Sequence, residues 1–285
     1  MNTARLSLSH WPSYDMRPRI KASRVILFFL FSAVTLKGQT SLTVSPLSAD
    51  LETSAGKTKK ESFTVGNDSA RALKILVQAE DWTFRENGQI VLPGAADRFP
   101  FSCRDWIRLE SGEFVLKPGE RRIVSWSLSV PPGTSPGHYW TALTFEGAEE
   151  LGAGDRNRLM IKGKIMASVF VLVGKSPAQG EITDATLTDR EKGSLVVIHF
   201  NNGGRSYFMT SGRLEIKDAR GKKIFETDLP EEIVLPGIGK DLEIELEERL
   251  PAGAFTVICS VRLPSRKRLE FQKNVVLEEK KDILM

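Results

Sequence analysis

One stretch of this 285-residue chain has the spacing of a nucleophile motif: Gly133-Thr-Ser-Pro-Gly137 fits the pattern G-x-S-x-G. A hydrolase using that pattern needs its serine on a sharp turn between a strand and a helix, so that Oγ is presented beside oxyanion-stabilising N–H groups. Here Pro131-Pro132 come first, Pro136 lies inside, and His138 to Phe145 alternates in the manner of a strand. The stretch therefore reads as an inter-strand turn, with Ser135 no nucleophile. Beyond residue 40 the histidines are His138 and His199, and neither has acidic or thiol residues at metal-ligand spacing. The glycine pair in Asn202-Gly-Gly204 lacks the helix that would hold a phosphate. The expectation is no catalytic residue, no metal site, no cofactor and no small-molecule substrate.

Binding chemistry is better represented. Arg262 to Arg268, with Pro264 and Ser265 inside, has the pattern of a charged hairpin tip able to meet anionic partners, lipid head groups or wall polymers. Solvated tips of this kind are common, so the cluster alone assigns nothing. Trp82, Trp106, Trp126 and Trp140 all fall in the first half, where large aromatics supply buried area to sheet packing. The chain carries +4, but residues 1–40 hold Arg5, Arg17, Arg19, Lys21, Arg24 and Lys37 against Asp15, and without their +5 the remainder is −1. No nucleic-acid partner is expected. Cys103 and Cys259 lie in different halves, and Cys259 shares an apolar row with Phe255, Val257, Val261 and Leu263. Both thiols read as small buried hydrophobes rather than a bridge.

The N-terminal segment sets the compartment. Val25 to Leu36 is a run of twelve apolar or small residues behind four basic ones, which has the form of a secretory signal and is short for a membrane span. Residues 1–40 are read as that signal, with Met16 an alternative start. The chain is then exported to a periplasm or cell envelope, with membrane contact only through this segment if it stays uncut.

From Ser41 onward, short β runs alternate with Asn-Asp, Asn-Gly, Pro-Gly and Gly-Gly turns, and helical periodicity is almost absent. The fold class expected is all-β, two immunoglobulin-like β-sandwiches in tandem. The divisions are 41–175, a joint at 176–180 marked by Pro177 and Gly180, 181–279, and a tail at 280–285. A weak internal repeat supports the division. FTVGND, FVLKPGE and GHYWTALTF in the first half are answered in order by VIHFNN, IVLPGIG and GAFTVICSV in the second, pairing Asn67 with Asn201.

The longest element is Leu159 to Gly174, whose odd positions read Leu, Ile, Gly, Ile, Ala, Val, Val, Val. Ordinary strands have about 5–6 residues. So long a ribbon either crosses a whole domain or leaves part of its edge to something outside.

Four segments together resemble the periplasmic pilus-assembly chaperones, the PapD-like superfamily: LTVSPLSADLE at the start, FTVGND at 63–68, FVLKPGE at 114–120 and RLMIKGKIMASVFVLVGKSP at 158–177. The resemblance implies a noncatalytic chaperone whose long strand is lent to an exported β-rich protein or pilus-type subunit by β-strand addition. The lent row would be Leu159, Ile161, Gly163 and Ile165, led by the polar loop 147–158. The family also anchors a subunit's carboxylate with an arginine on the first strand and a lysine on the long one. This chain departs from that pattern. Ser41 to Gly56 contains no Arg or Lys, and Ser168 stands where the lysine falls, leaving Lys162 and Lys164 on the same side as candidate anion contacts. The competing reading is a structural or adhesive immunoglobulin-like envelope module whose long strand is fully paired.

Overall fold

The computed structural model describes residues 42–85, 88–93, 100–149 and 162–278. Among the described residues, alternating apolar and polar residues separated by turn signals give twenty strands and one short 3-10 turn, Arg104–Trp106. In the first half these are β1 (Leu42–Ser45), β2 (Ser48–Thr53), β3 (Thr58–Asn67), β4 (Leu73–Glu80), β5 (Thr83–Phe84), β6 (Ile90–Val91), β7 (Ile107–Leu109), β8 (Glu113–Leu116), β9 (Arg121–Ser129), β10 (Gly137–Glu149) and β11 (Lys162–Val173). The second half holds β12 (Gly180–Asp189), β13 (Ser194–Asn202), β14 (Phe208–Met209), β15 (Gly212–Asp218), β16 (Lys223–Asp228), β17 (Ile233–Val234), β18 (Gly239–Leu246), β19 (Gly253–Arg262) and β20 (Arg268–Leu277).

The first sandwich faces a sheet ordered β1-β3-β9-β7 against one ordered β2-β11-β10-β4-β8. Their inward rows enclose a core of Phe63, Val65, Ile75, Leu116, Trp126, Leu128, Leu143 and Phe145. Phe63 stacks on Trp126 at 5.7 Å and meets Phe145 edge-on. The chain changes sheet between β1 and β2 at Pro46, whose peptide bond is cis. The second sandwich faces β12-β13-β18 against β16-β15-β19-β20, over a separate core that includes Ile198, Phe200, Phe208, Leu214, Leu242 and Val257.

Cys103 belongs to the first core and Cys259 to the second, and both thiols are free. Burial pushes the Cys259 thiol up to about 12, which leaves it protonated and unreactive. Gly133-Thr-Ser-Pro is a turn leading straight into β10, and the Tyr139 hydroxyl donates back to the carbonyl of Ser135 at 2.9 Å.

The internal repeat is a repeated corner. Buried Asn67 donates from Nδ2 to the carbonyls of Arg71 (2.7 Å) and Leu116 (3.0 Å), and its Oδ1 accepts the Ser69 N–H (3.0 Å). Buried Asn202 donates to Ser206 (3.0 Å) and Val234 (2.9 Å) and accepts the Gly204 N–H (3.0 Å). In each half the N–H of the Pro-Gly glycine, Gly119 or Gly237, donates to the main-chain carbonyl of that asparagine. The counterpart of Asn67 is thus Asn202 and not Asn201, which is exposed. The inward row of β13 runs through Ile198, Phe200 and Asn202, so strand parity decides between the neighbours.

Candidate interaction edge beside the interdomain cluster

β11 pairs antiparallel with β10 along its whole described length, from Lys162 opposite Ala148 to Val173 opposite Gly137. On its other side β2 runs parallel to it, but only from Ser168 opposite Ser48 to Val173 opposite Thr53. The Ser168 N–H donates to Leu47 at 3.0 Å, so Ser168 points its main-chain groups toward β2. By the two-residue period, Met166 and Lys164 turn theirs the same way. Among the described residues no strand lies there, and β11 has one paired edge and one open edge from Lys162 to Ala167.

The side chains divide by parity. On the odd row Val173, Val171, Val169 and Ala167 are fully buried in their own sandwich, Ile165 packs on that core while partly exposed, and at Gly163 an added Cβ would meet open space. The row therefore runs out of its own core between Ala167 and Gly163. Leu159 and Ile161 lie outside the described residues, as do most of the polar loop before them and the side chain of Lys162. On the even row Lys164 holds Glu80 through both carboxylate oxygens, at 2.6 and 2.9 Å. An exposed pair of this kind contributes roughly 0–1 kcal/mol, so a competing anion can open it.

Met166 and Phe170, further along the even row, join a third apolar cluster that bridges the two sandwiches. Trp82, Trp140, Ala142, Phe84 and Phe101 come from the first sandwich, and Leu235, Tyr207, Ile233 and Ile238 from the second. Trp82 and Trp140 donate their indole N–H groups to the carbonyls of Thr141 and Trp82, at 3.1 and 2.9 Å, which lets two large rings be buried without orphaned donors. Polar contacts rim the cluster. Arg205 donates to the Pro136 carbonyl (2.9 Å) and the Tyr139 hydroxyl (2.8 Å), and its own carbonyl accepts the His138 N–H (2.7 Å). Gly137 allows this approach, since with φ of 151° a Cβ there would stand 2.8 Å from the Arg205 carbonyl. Buried Lys240 reaches Glu232 at 2.6 Å and lies 4.5 Å over the Phe84 ring.

Sequence reasoning placed the tryptophans in sheet packing, where Trp126 belongs, but did not separate Trp82 and Trp140 as the interdomain pair. Arg205, Tyr207, Lys240 and the Glu80 partner of Lys164 were also missed. The roles of Arg205, Tyr207 and Lys240 arise only where the sandwiches meet, and Glu80 reaches Lys164 across β10 within the first sandwich, so none is announced by apolar periodicity.

His138 gives this interface a pH dependence. Its ring packs 4.2 Å from that of Tyr207, its Nδ1 is buried without a partner, and burial lowers its pKa from 6.5 to about 4. The unfolded chain therefore binds the proton more readily, so this contribution to stability is complete above pH 6.5 and is lost as the pH falls toward about 4. Thermal midpoints measured across that window should decline, and His138→Phe should flatten that part of the decline.

The fold and the edge define an all-β protein of two tandem immunoglobulin-like sandwiches with one long strand paired on both sides over only half its described length. No protein-family model matches the chain, and no curated protein matches it either. Among solved structures it is similar to a chaperone–tip adhesin complex of CFA/I fimbriae biogenesis, at 10% identity over 82% of this chain and 98% of that one, with a TM-score of 0.46. The class 5 fimbrial chaperone CfaA is similar at 10% identity over 84% and 100% of the two chains, with a TM-score of 0.42. A Salmonella enterica complex of the SafA pilin with the SafB chaperone is similar at 11% identity over 84% and 98%, with a TM-score of 0.42.

Proposed function

We propose that this chain is a noncatalytic, exported, chaperone-like protein that binds or assembles another β-rich envelope or pilus-type protein by β-strand addition, lending it the long strand β11. The observation carrying this reading is the open edge at Lys162 to Ala167, where Lys164 and Met166 turn their main-chain groups away from β10. Main-chain pairing would supply affinity, and the row Leu159, Ile161, Gly163 and Ile165 would reach into the partner's groove. Lys162 and Lys164 are the candidate contacts for an anionic group on the partner. While no partner is present, the charge on Lys164 also discourages edge-to-edge aggregation.

Hydrogen exchange on the isolated protein tests the edge directly. The Lys164 and Met166 amides should exchange quickly and those of Gly163, Ile165 and Ala167 slowly, an alternation that disappears when a subunit binds. Uniformly slow amides from Lys162 to Val173 would instead make the chain a closed structural module. A paired substitution tests the partner's use of the edge. Lys164→Pro removes an N–H that β10 does not use, whereas Lys164→Ala loses the Glu80 contact and keeps that N–H. Recovery of exported β-rich subunits from an envelope extract should fail with the proline variant and persist with alanine. Equal recovery by both folded variants would remove the strand-addition reading.

A further inference from the structure

We infer that the β19–β20 hairpin tip is a docking surface for anionic lipid head groups, separate from the β11 edge. β19 and β20 pair in register from Gly253 opposite Leu277 to Arg262 opposite Arg268, and the turn is closed by Leu263 N–H to Lys267 and Arg266 N–H to Leu263. Leu263 and Leu269 are buried and root the tip in the second core, while Arg262, Pro264, Ser265, Arg266, Lys267 and Arg268 are exposed.

Two features set this tip against the ordinary demands of stability. Arg262 and Arg268 sit directly opposite each other, where like charges repel. Arg266 has a φ of 65°, and among the described residues it is the one non-glycine residue in that left-handed region. Glycine or asparagine suits such a position at lower conformational cost. Few ion pairs hold these cations, although Glu181, Asp228 and Glu270 line the cavities beside them. Among the described residues no carboxylate pairs with Arg262, Arg266 or Lys267, and Arg268 reaches Glu270 only at 3.8 Å. Nearby Arg213, by contrast, is already held by Glu226 and Asp228.

Four exposed cations on a hairpin tip with no exposed apolar anchor fit a charged surface better than a protein partner. Protein interfaces centre on a desolvated apolar or aromatic core, which this tip lacks. A bilayer rich in anionic lipid presents phosphates at high density and asks for no shape complementarity, and each basic residue near it adds to the attraction.

The test is sedimentation of the full chain with vesicles of mixed phosphatidylglycerol and phosphatidylcholine, beside vesicles of phosphatidylcholine alone. Stronger association with the anionic vesicles is expected, weakening as salt screens it. Arg268→Glu should weaken that association by more than about fivefold, and Arg266→Gly by about fivefold. Both variants should unfold at the same or a higher temperature than the parent, because each relieves a local conflict. Undiminished association in both variants would overturn the assignment, as would no preference for anionic over neutral vesicles. Retention on immobilised polyglutamate without vesicle association would give the tip to an acidic protein and also overturn it. Suppression by inorganic phosphate beyond that by chloride at equal ionic strength would indicate a discrete phosphate pocket, again against a lipid surface.

Discussion

Replacing Asn202 by alanine should destabilise the protein by about 3 kcal/mol or more, since three buried main-chain groups lose their partners and each such loss costs roughly 1–3 kcal/mol. The side chain is fully buried and bonds the carbonyls of Ser206 and Val234 and the N–H of Gly204. Asn67→Ala should cost less, about 1–3 kcal/mol, because only its bond to the Leu116 carbonyl is fully buried and water can reach the groups left at Arg71 and Ser69. Aspartate in either place keeps the acceptor but loses both donations and adds a buried charge, so it should be at least as damaging. Urea unfolding of the two variants at each position checks the order. Asn201→Ala, one residue away on the exposed row, should change stability by less than about 0.5 kcal/mol. Equal losses at 201 and 202 would refute the corner as the cause.

Trp140→Ala should cost about 3–5 kcal/mol, the range for truncating a large aromatic in a packed interior. Trp140 is fully buried, stacks on Phe101 at 5.6 Å and 11°, and donates to the Trp82 carbonyl. Its surroundings include Leu235 and Tyr207 of the second sandwich, so the damage should reach past the first core. The expected signature is a change of cooperativity: one unfolding transition in the parent and two in the variant, with the second sandwich melting near its own midpoint. Trp126→Ala removes a ring of the same size from inside the first core and should lower the first transition with less uncoupling. Calorimetry of both distinguishes a lost interface from a lost core.

The all-β character and the two-sandwich plan were legible because turn residues punctuate the chain and apolar residues alternate between them. Val169, Val171 and Val173 announce an inward row by type and spacing alone, and they are buried. What the sequence did not show is where the second edge of that strand is left open. This depends on β2 ending its pairing at Ser48, a contact between segments more than a hundred residues apart. The asparagine repeat was visible as an order of motifs, yet Asn201 and Asn202 are alike in type, and only the parity of Ile198 and Phe200 separates them. The bridging cluster was illegible for another reason. A buried tryptophan looks the same in composition whether it fills one core or joins two, and Arg205 sits in a glycine-rich loop with no periodicity to flag it.

The way β2 begins has one more consequence. Leu47, 61% exposed, stands where the chain's own parallel strand takes over the edge of β11. Under the proposed strand addition, a foreign segment lying along Lys162 to Ala167 would meet that leucine as a doorstop and advance no further. The host would thereby measure its guest, and a guest too long for the vacant berth would leave its surplus dangling in solvent.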